Sequence, residues 1–270
     1  MPDQQHPRMA VIGGSGFYEF LENPTAVTVT TPYGDPSAPI AVGDVGGASV
    51  AFLPRHGKGH EFPPHRIPYR ANMWALRSLG VQQVLAPCAV GGLQPETQPG
   101  TLVVPDQLVD RTTTRIQTYI DTGAAHAPFA DPYCPDLRAA LLGAAGEGAV
   151  DGGTMVVIEG PRFSTRAESQ SYARAGWTVV NMTGHPEAVL ARELGLCYAT
   201  IALVTDLDAG VSAEESVDQA AVFALFEKHI GRLRDLLGTV VSGLPATSDC
   251  GCADWLADVT LPFELPGPPA

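Results

Sequence analysis

The sequence predicts an α/β protein, a single domain with a central, mostly parallel (mixed) β-sheet flanked by helices. Three observations carry that reading. Short, continuously apolar runs alternate with segments of helical spacing along most of the chain. With 270 residues, 45% of them hydrophobic, the chain can fill a sizeable core. Its glycine-rich and polar clusters follow apolar runs, and open α/β sheets bind ligands at the loops after strand ends.

The elements follow in order. Residues 1–8 read as a frayed tail, 9–243 as the domain, and 244–270, rich in proline, as an irregular C-terminal extension. Ala10-Val11-Ile12 is a short strand running into Gly13-Gly14-Ser15-Gly16. Strands are also predicted over 48–54, 81–86, 101–108, 154–158, 178–181 and 198–204. Between 67 and 79, Ile67, Met73, Trp74, Leu76 and Leu79 have helical spacing, closed by Gly80. Thr165-Arg166-Ala167-Glu168 and Ser212-Ala213-Glu214-Glu215 have capping-box form. Pro186 suits a first helical position, followed by Val189, Leu190 and Leu194.

Charge and composition exclude several functions. A net charge of −13 argues against a nucleic-acid surface, which needs clustered Lys and Arg. No apolar run approaches the roughly 20 residues of a membrane span. The N-terminus lacks the basic start and apolar centre of a secretory signal, so the expected location is cytoplasmic. The cysteines (Cys88, Cys134, Cys197, Cys250 and Cys252) are odd in number and scattered, which points to reduced thiols. The Cys250-Gly251-Cys252 stretch leaves a strained redox pair or C-terminal clip as the alternative.

Five clusters could carry chemistry, and each alone could be an ordinary turn. Gly13-Gly14-Ser15-Gly16 could bring backbone N–H groups and a hydroxyl to an oxyanion. No Lys-Ser/Thr follows, so it is no P-loop. Arg55-His56-Gly57 offers a guanidinium fork and an imidazole to an anion. The nearby His60 and His65 have the wrong spacing for a zincin, and Pro63-Pro64 forbid the helix, so no metal site is expected. Cys88-Ala89-Val90-Gly91-Gly92 reads as a glycine-rich turn, and Thr183 stands before a helix N-terminus, whose N–H groups favour anions. Asp206 and Asp208 follow a buried strand, where carboxylates are costly unless paired or used.

In this order and combination, joined by Glu159-Gly160-Pro161-Arg162-Phe163-Ser164, these clusters resemble the methylthioadenosine phosphorylase and purine nucleoside phosphorylase family. The resemblance runs from about residue 9 to 240 and is most specific over 159–169 and 181–190. It implies a homotrimer and reversible phosphorolysis of a purine nucleoside, with inorganic phosphate as co-substrate and no cofactor. It implies phosphate-binding positions at Ser15, Arg55, His56, Cys88, Ala89 and Thr183. Met182, Asp206, Asp208, Ser164 and Gln219 fall at substrate positions, and His126 matches a residue lent to a neighbouring subunit's site. Cys88 stands where many relatives have threonine, which weakens one phosphate contact. Gln219 falls near a position that is apolar in many methylthioadenosine enzymes, which leaves the 5′ pocket open.

The chemistry agrees with the resemblance. Breaking an N-glycosidic bond builds oxocarbenium character on the sugar, which phosphate can stabilise and attack. The leaving base needs a proton at N7, and Asp206 is the candidate acid if burial or Asp208 raises its pKa. Carboxylates accept from a 6-amino group, so methylthioadenosine or a related 5′-deoxyadenosine is the expected substrate. The alternatives are a purine nucleoside or methylthioinosine phosphorylase acting on 6-oxopurines, a water-using hydrolase, and a non-catalytic nucleoside-binding protein.

Overall fold

The structure, a computed structural model, describes residues 6–209, 219–245 and 249–268. The predicted capping box at Ser212–Glu215 lies outside the described residues.

The strands β1 (Met9–Gly13), β2 (Thr25–Val27), β3 (Ile40–Val45) and β4 (Ala48–Pro54) open the chain. Helix α1 (Tyr69–Ser78) leads to β5 (Gln83–Leu85), β6 (Cys88–Gly92), β7 (Leu102–Val104) and β8 (Gln107–Arg111). Then come α2 (Pro135–Ala145), β9 (Ala149–Asp151), β10 (Thr154–Ile158), α3 (Arg166–Arg174), β11 (Val179–Asn181) and α4 (Gly184–Glu193). Strands β12 (Cys197–Ala199) and β13 (Ala202–Leu207) precede α5 (Gln219–Gly243).

Where one sheet was expected there are two, ordered β12-β5-β1-β4-β3-β2 and β8-β10-β11-β6-β13-β7-β9. Most of their pairings are parallel; β2–β3, β3–β4, β11–β6 and β13–β7 are antiparallel. The sheets meet where two adjacent chain segments cross from one to the other. Ala86 N–H donates to Ala199 O and Cys88 N–H to Ile201 O, so pairing continues around Pro87. The predicted strand over 198–204 is therefore two strands, broken at Thr200-Ile201. The predicted strand over 101–108 divides at Pro105, which has no N–H to give a ladder. Cys88–Gly92, read as a turn, is strand β6, held by β13 on one side and β11 on the other.

Strands β1, β5 and β12 of the first sheet and most of β4 are buried on both faces, so they read as apolar runs, whereas β2 is largely exposed and β3 half-buried. Met9 and Val11 join one core with Phe52, Leu137, Leu141, Phe226, Leu233 and Leu237. Ala10 and Ile12 point into a second core with Leu53, Met73, Leu76, Ala188 and Leu190. Period-two alternation thus places α2 and α5 on one face and α1 and α4 on the other. The C-terminal extension follows the same surface: Phe263 packs on Trp74 and Tyr119, and Trp255 Nε1 donates to Arg192 O at 3.1 Å.

Three helices end alike. In α1, Gly80 N–H donates to Arg77 O and Val81 N–H to Leu76 O. Gly176 and Trp177 repeat the pattern after α3, and Gly195 and Leu196 after α4. These are Schellman closures, whose glycines have φ of 95°, 79° and 66°. Each turns the chain directly toward the next strand. A Cβ at Gly176 would meet no atom within 4 Å, so only its backbone conformation opposes a side chain. Gly176→Ala is expected to destabilise the fold by about 1–2 kcal/mol, read as a Tm lower by a few degrees with activity unchanged.

Candidate active site

One cavity of about 350 Å³ gathers most of the predicted site residues. Ser15, Arg55, His56, Cys88, Ala89, Ser164, Met182, Thr183, Asp206 and Asp208 all line it. Its walls follow the C-terminal ends of β1, β4, β10, β11 and β13 and run along β6. It therefore draws on both sheets at their junction. His126 is exposed and does not line this cavity. Gln219 opens α5, but its side chain lies outside the description.

The anion corner is built differently from its sequence reading. Arg55 is 1% exposed, and its fork is already occupied: Nε and Nη2 donate to the Glu187 carboxylate at 2.7 and 2.8 Å. Glu187 also accepts from Tyr198 Oη at 2.8 Å. Burial opposes the Arg55 charge, yet Glu187 holds its pKa above the ordinary value. The remaining nitrogen, Nη1, has only a 3.5 Å contact to Pro87 O and lies 3.0 Å from where a Gly14 Cβ would stand. The absent side chain at Gly14 thus keeps one guanidinium edge open toward the loop that carries Ser15.

His56 is neutral. Burial pushes its pKa down to about 3, against a hydrogen bond to the Phe62 carbonyl and with help from Arg55. A carbonyl only accepts, so Nδ1 carries the proton in its 2.8 Å contact to Phe62 O, and Nε2 presents a lone pair. The sequence reading of His56 as a donor therefore becomes an acceptor. His60 stacks on His56 at 4.5 Å and pairs through Nδ1 with Tyr18 Oη, which accounts for the histidine first weighed as a metal ligand.

Thr183 and Cys88 also change meaning. The first N–H groups of α4 do not face the cavity unused: Thr183 and Gly184 N–H both donate to Asn181 Oδ1 at 2.7 Å. Asn181 Oδ1 thus takes up both amides ahead of α4, and the Thr183 hydroxyl makes only a long 3.4 Å contact to the same oxygen. Cys88 has no donor to spare. Its N–H donates to Ile201 O. Thr200 gives its hydroxyl proton to Ala86 O, so the Cys88 thiol is the donor in its 3.4 Å contact with Thr200. Burial pushes that thiol up to about 11, which keeps it protonated at neutral pH. The expected phosphate contact at Cys88 is reduced to packing.

The opposite end is acidic. Between Val204 and Asp206 the β6–β13 register slips, so Thr205 is an extra residue in the strand. Such a bulge re-aims the side chains after it. Thr205 Oγ1 donates to Asp206 Oδ2 at 2.8 Å. Burial raises the Asp206 pKa to about 6, against the Thr205 hydrogen bond and with the aid of Asp208. Asp208 is raised too, mainly by burial, despite the nearby Ser164 and Ser169 hydroxyls. Among the described residues, Ser164 Oγ, Ser169 Oγ and Asp208 Oδ2 are buried without hydrogen-bond partners. Both hydroxyls nevertheless lie close enough to the Asp208 carboxylate to lower its pKa, so this polar group is loosely satisfied within the chain and has capacity for a polar ligand. A Cβ at Gly91 would lie 3.2 Å from both Asp206 Oδ1 and Asp208 Cβ, so glycine there makes the paired carboxylates possible.

Second-line residues hold these loops. The predicted capping box at Thr165 is formed, with Thr165 N–H donating to Glu168 Oε2 at 2.7 Å and Glu168 N–H to Thr165 Oγ1 at 3.2 Å. Arg115 Nη2 donates to Ile158 O and Glu159 O, and its Nη1 donates to His185 O. It thereby ties the loop of Ser164 to the loop of Thr183. Glu187 lies in the first turn of α4 and was not among the predicted site residues. Arg115 carried no local signal, because its partners are 43 or more positions away.

Between the two polar ends the wall is apolar, with Pro64, Phe163, Val180 and Met182 on one side and Val222 and Phe223 of α5 on the other. Phe223 also meets the edge of His60. One turn on, Phe226 sits against Gly16, where a Cβ would come within 2.8 Å of its ring. The glycine loop therefore seats the helix that covers the pocket.

Comparison with known proteins agrees with this architecture. The chain is 60% identical over 259 residues to an S-methyl-5′-thioadenosine phosphorylase of Mycobacterium tuberculosis, spanning 96% of this chain and 97% of that one. It is 54% identical to a purine nucleoside phosphorylase of Streptomyces coelicolor, over 98% and 100% of the two chains. A methylthioadenosine phosphorylase from Schistosoma mansoni, solved with adenine, superimposes with a TM-score of 0.87 at 38% identity, covering 92% of this chain and 95% of that one. The family model for the phosphorylase superfamily matches residues 8–242, and the chain belongs to that superfamily.

Proposed function

We propose that this protein cleaves 5′-methylthioadenosine with inorganic phosphate, giving adenine and 5-methylthioribose 1-phosphate. One observation carries the reading: a single cavity joins the open edge of Arg55 to Asp206 and Asp208 across an apolar wall. Phosphate fits the Arg55 Nη1 edge, with Ser15 and Thr183 hydroxyls as donors, the Ala89 strand as a floor, and His56 Nε2 accepting from its protonated oxygen. Asp208 and Ser164 suit the polar edge of an adenine, and Met182 and Phe163 its flat face. Val222 and Phe223 suit a methylthio group better than a hydroxyl. This apolar lid supplies what Gln219 had left open.

The reaction follows from this arrangement. The N9–C1′ bond breaks, its electrons leave with the base, and Asp206 delivers a proton toward N7. The phosphate, held below the developing oxocarbenium ion, then forms the new C1′–O bond. The reaction needs no cofactor and no covalent enzyme intermediate. The reading also takes in a homotrimer in which the exposed His126 serves a neighbouring copy. A cytoplasmic place in purine salvage completes it. No described helix is long and apolar enough to cross a membrane, and the charge of −13 disfavours nucleic acid.

Base release from methylthioadenosine, adenosine, methylthioinosine and inosine, each with and without phosphate, tests the assignment. Release is expected only with phosphate, with methylthioadenosine preferred; preference for the 6-oxo substrates would make the chain a 6-oxopurine enzyme instead. Asp206 gives a pH signature. With a pKa of about 6, its acid form is about a tenth populated at pH 7 and declines further as pH rises. At saturating phosphate, kcat/KM for the nucleoside should fall above about pH 6. Asp206→Asn should abolish that limb and lower kcat/KM about 10²-fold or more, leaving the phosphate KM unchanged.

The same group affects stability. Its folded pKa exceeds the ordinary 3.8, so stability is lost as pH rises from about 4 through 6. Asp206→Asn should therefore be more stable than the parent at pH 8, by up to about 3 kcal/mol, and equal to it near pH 4. At the other end, Glu187→Gln removes the anchor of Arg55. The phosphate KM should rise about tenfold or more while the nucleoside KM changes little, and stability should fall by about 3–5 kcal/mol. Matched increases in both KM values would count against phosphate at the Arg55 edge.

A further inference from the structure

Four of the five cysteines are not scattered in space. Cys134 precedes α2, Cys197 begins β12, and Cys250 and Cys252 come from the C-terminal extension. Their four sulfur atoms lie within 4.8 Å of one another. Cys134, Cys197 and Cys252 are buried, at 1%, 8% and 5% exposure. The sequence reading took them for ordinary thiols or a Cys250–Cys252 pair, because positions 134 and 197 are remote from the Cys-Gly-Cys stretch. Folding brings all four together.

We propose that this cluster is a structural Zn²⁺ site with four thiolate ligands. Zinc bound by four thiolates at about 2.3 Å spaces the sulfurs about 3.8 Å apart, at the corners of a tetrahedron. The four sulfurs come from three separate segments and lie within 4.8 Å of one another, close to that spacing, with Cys197 and Cys250 at 3.2 Å. The donors are all soft thiols, the set that selects zinc over harder cations. Gly251, at φ 71°, turns the chain so that its two neighbours can face one point. No disulfide joins any of the cysteines in the structure.

The site has a structural purpose. Strand β12 is the edge of its sheet, and the extension lies across it: Leu256 Cδ1 would meet a Cβ at Gly195 within 2.5 Å, and Gln83 Nε2 reaches Pro245 O at 3.4 Å. Among the described residues from 244 onward, the regular structure is a 3₁₀ turn at Asp254–Asp258. A metal shared with Cys134 and Cys197 would fasten that segment to the core beside the buried edge strand, where Cys134 N–H already donates to Tyr198 O. Binding releases thiol protons and forms four Zn–S bonds, with no change of oxidation state.

The test uses the full chain, purified anaerobically without reductant from zinc-supplemented cells. Elemental analysis should find about one zinc per chain. Replacement by Co²⁺ should give thiolate-to-cobalt charge-transfer absorption and the intense visible bands of a tetrahedral site. Cys134→Ser and Cys252→Ser should lose the metal, and Cys250→Ser, at the least buried position, provides a milder variant should those fail to fold. Chelation should lower the Tm and open residues 244–268 to protease while Cys88 stays buried. The proposal is overturned if the metal-free protein, denatured, shows one reactive thiol that becomes five after reduction, since two disulfides then use the same sulfurs. Five reactive thiols with no bound metal, and no cobalt spectrum, overturn it equally.

Discussion

The buried pair of Arg55 and Glu187 fixes the site more than any other contact. A guanidinium almost without solvent exposure can stay charged only beside a carboxylate, and two parallel hydrogen bonds hold both in one geometry. Arg55 hangs from the end of β4, Glu187 from the first turn of α4, and Tyr198 braces the carboxylate from β12. The pair therefore connects the first sheet to the helix that follows β11 of the second. Gly14 stands beside the one nitrogen it leaves open, with Cys88 next to it, and Thr183 lines the same cavity.

The fold was legible where local pattern and tertiary environment agree. Met9–Gly13, Ala48–Pro54 and Thr154–Ile158 are buried on both faces, so their apolar runs announced them. The capping box at Thr165 was equally plain because all its partners lie within four residues. The predicted strand over 81–86 stopped before Pro87, but the break at Thr200-Ile201 was not legible, since it depends on how two segments cross between sheets. Strand β6 looked like a turn because its glycines serve close approach, Gly91 to Val180 and the aspartates and Gly92 to Thr97, not chain reversal. The sequence reading marked a helix start at Ser212–Glu215 but not the extent of α5, although its buried Phe226, Leu233, Leu237 and Val240 recur at helical spacing.

The site divides in the same way. Which residues converge was readable, since ten of the twelve candidates line one cavity. What each offers was not. Donor and acceptor roles depend on partners that only the folded chain defines: Phe62 O fixes the His56 tautomer, Asn181 uses the α4 amides, and Thr200 accepts a hydrogen bond from the Cys88 thiol. The apolar lid was missed because Val222 and Phe223 face the cavity only once Phe226 is seated against Gly16.

Taken together, the anion corner bears almost no net positive charge. Arg55 is neutralised by Glu187, and His56 is uncharged with a lone pair pointing inward. A site that attracts by hydrogen bonding more than by charge discriminates between oxyanions of similar shape. Hydrogenphosphate brings one proton for the imidazole nitrogen to accept, and arsenate can do the same. Sulfate, fully ionised at neutral pH, would set an oxygen lone pair against a nitrogen lone pair. The tautomer imposed by the Phe62 carbonyl thus acts as a filter for protonated tetrahedral anions, set by a backbone atom six residues from the imidazole it orients.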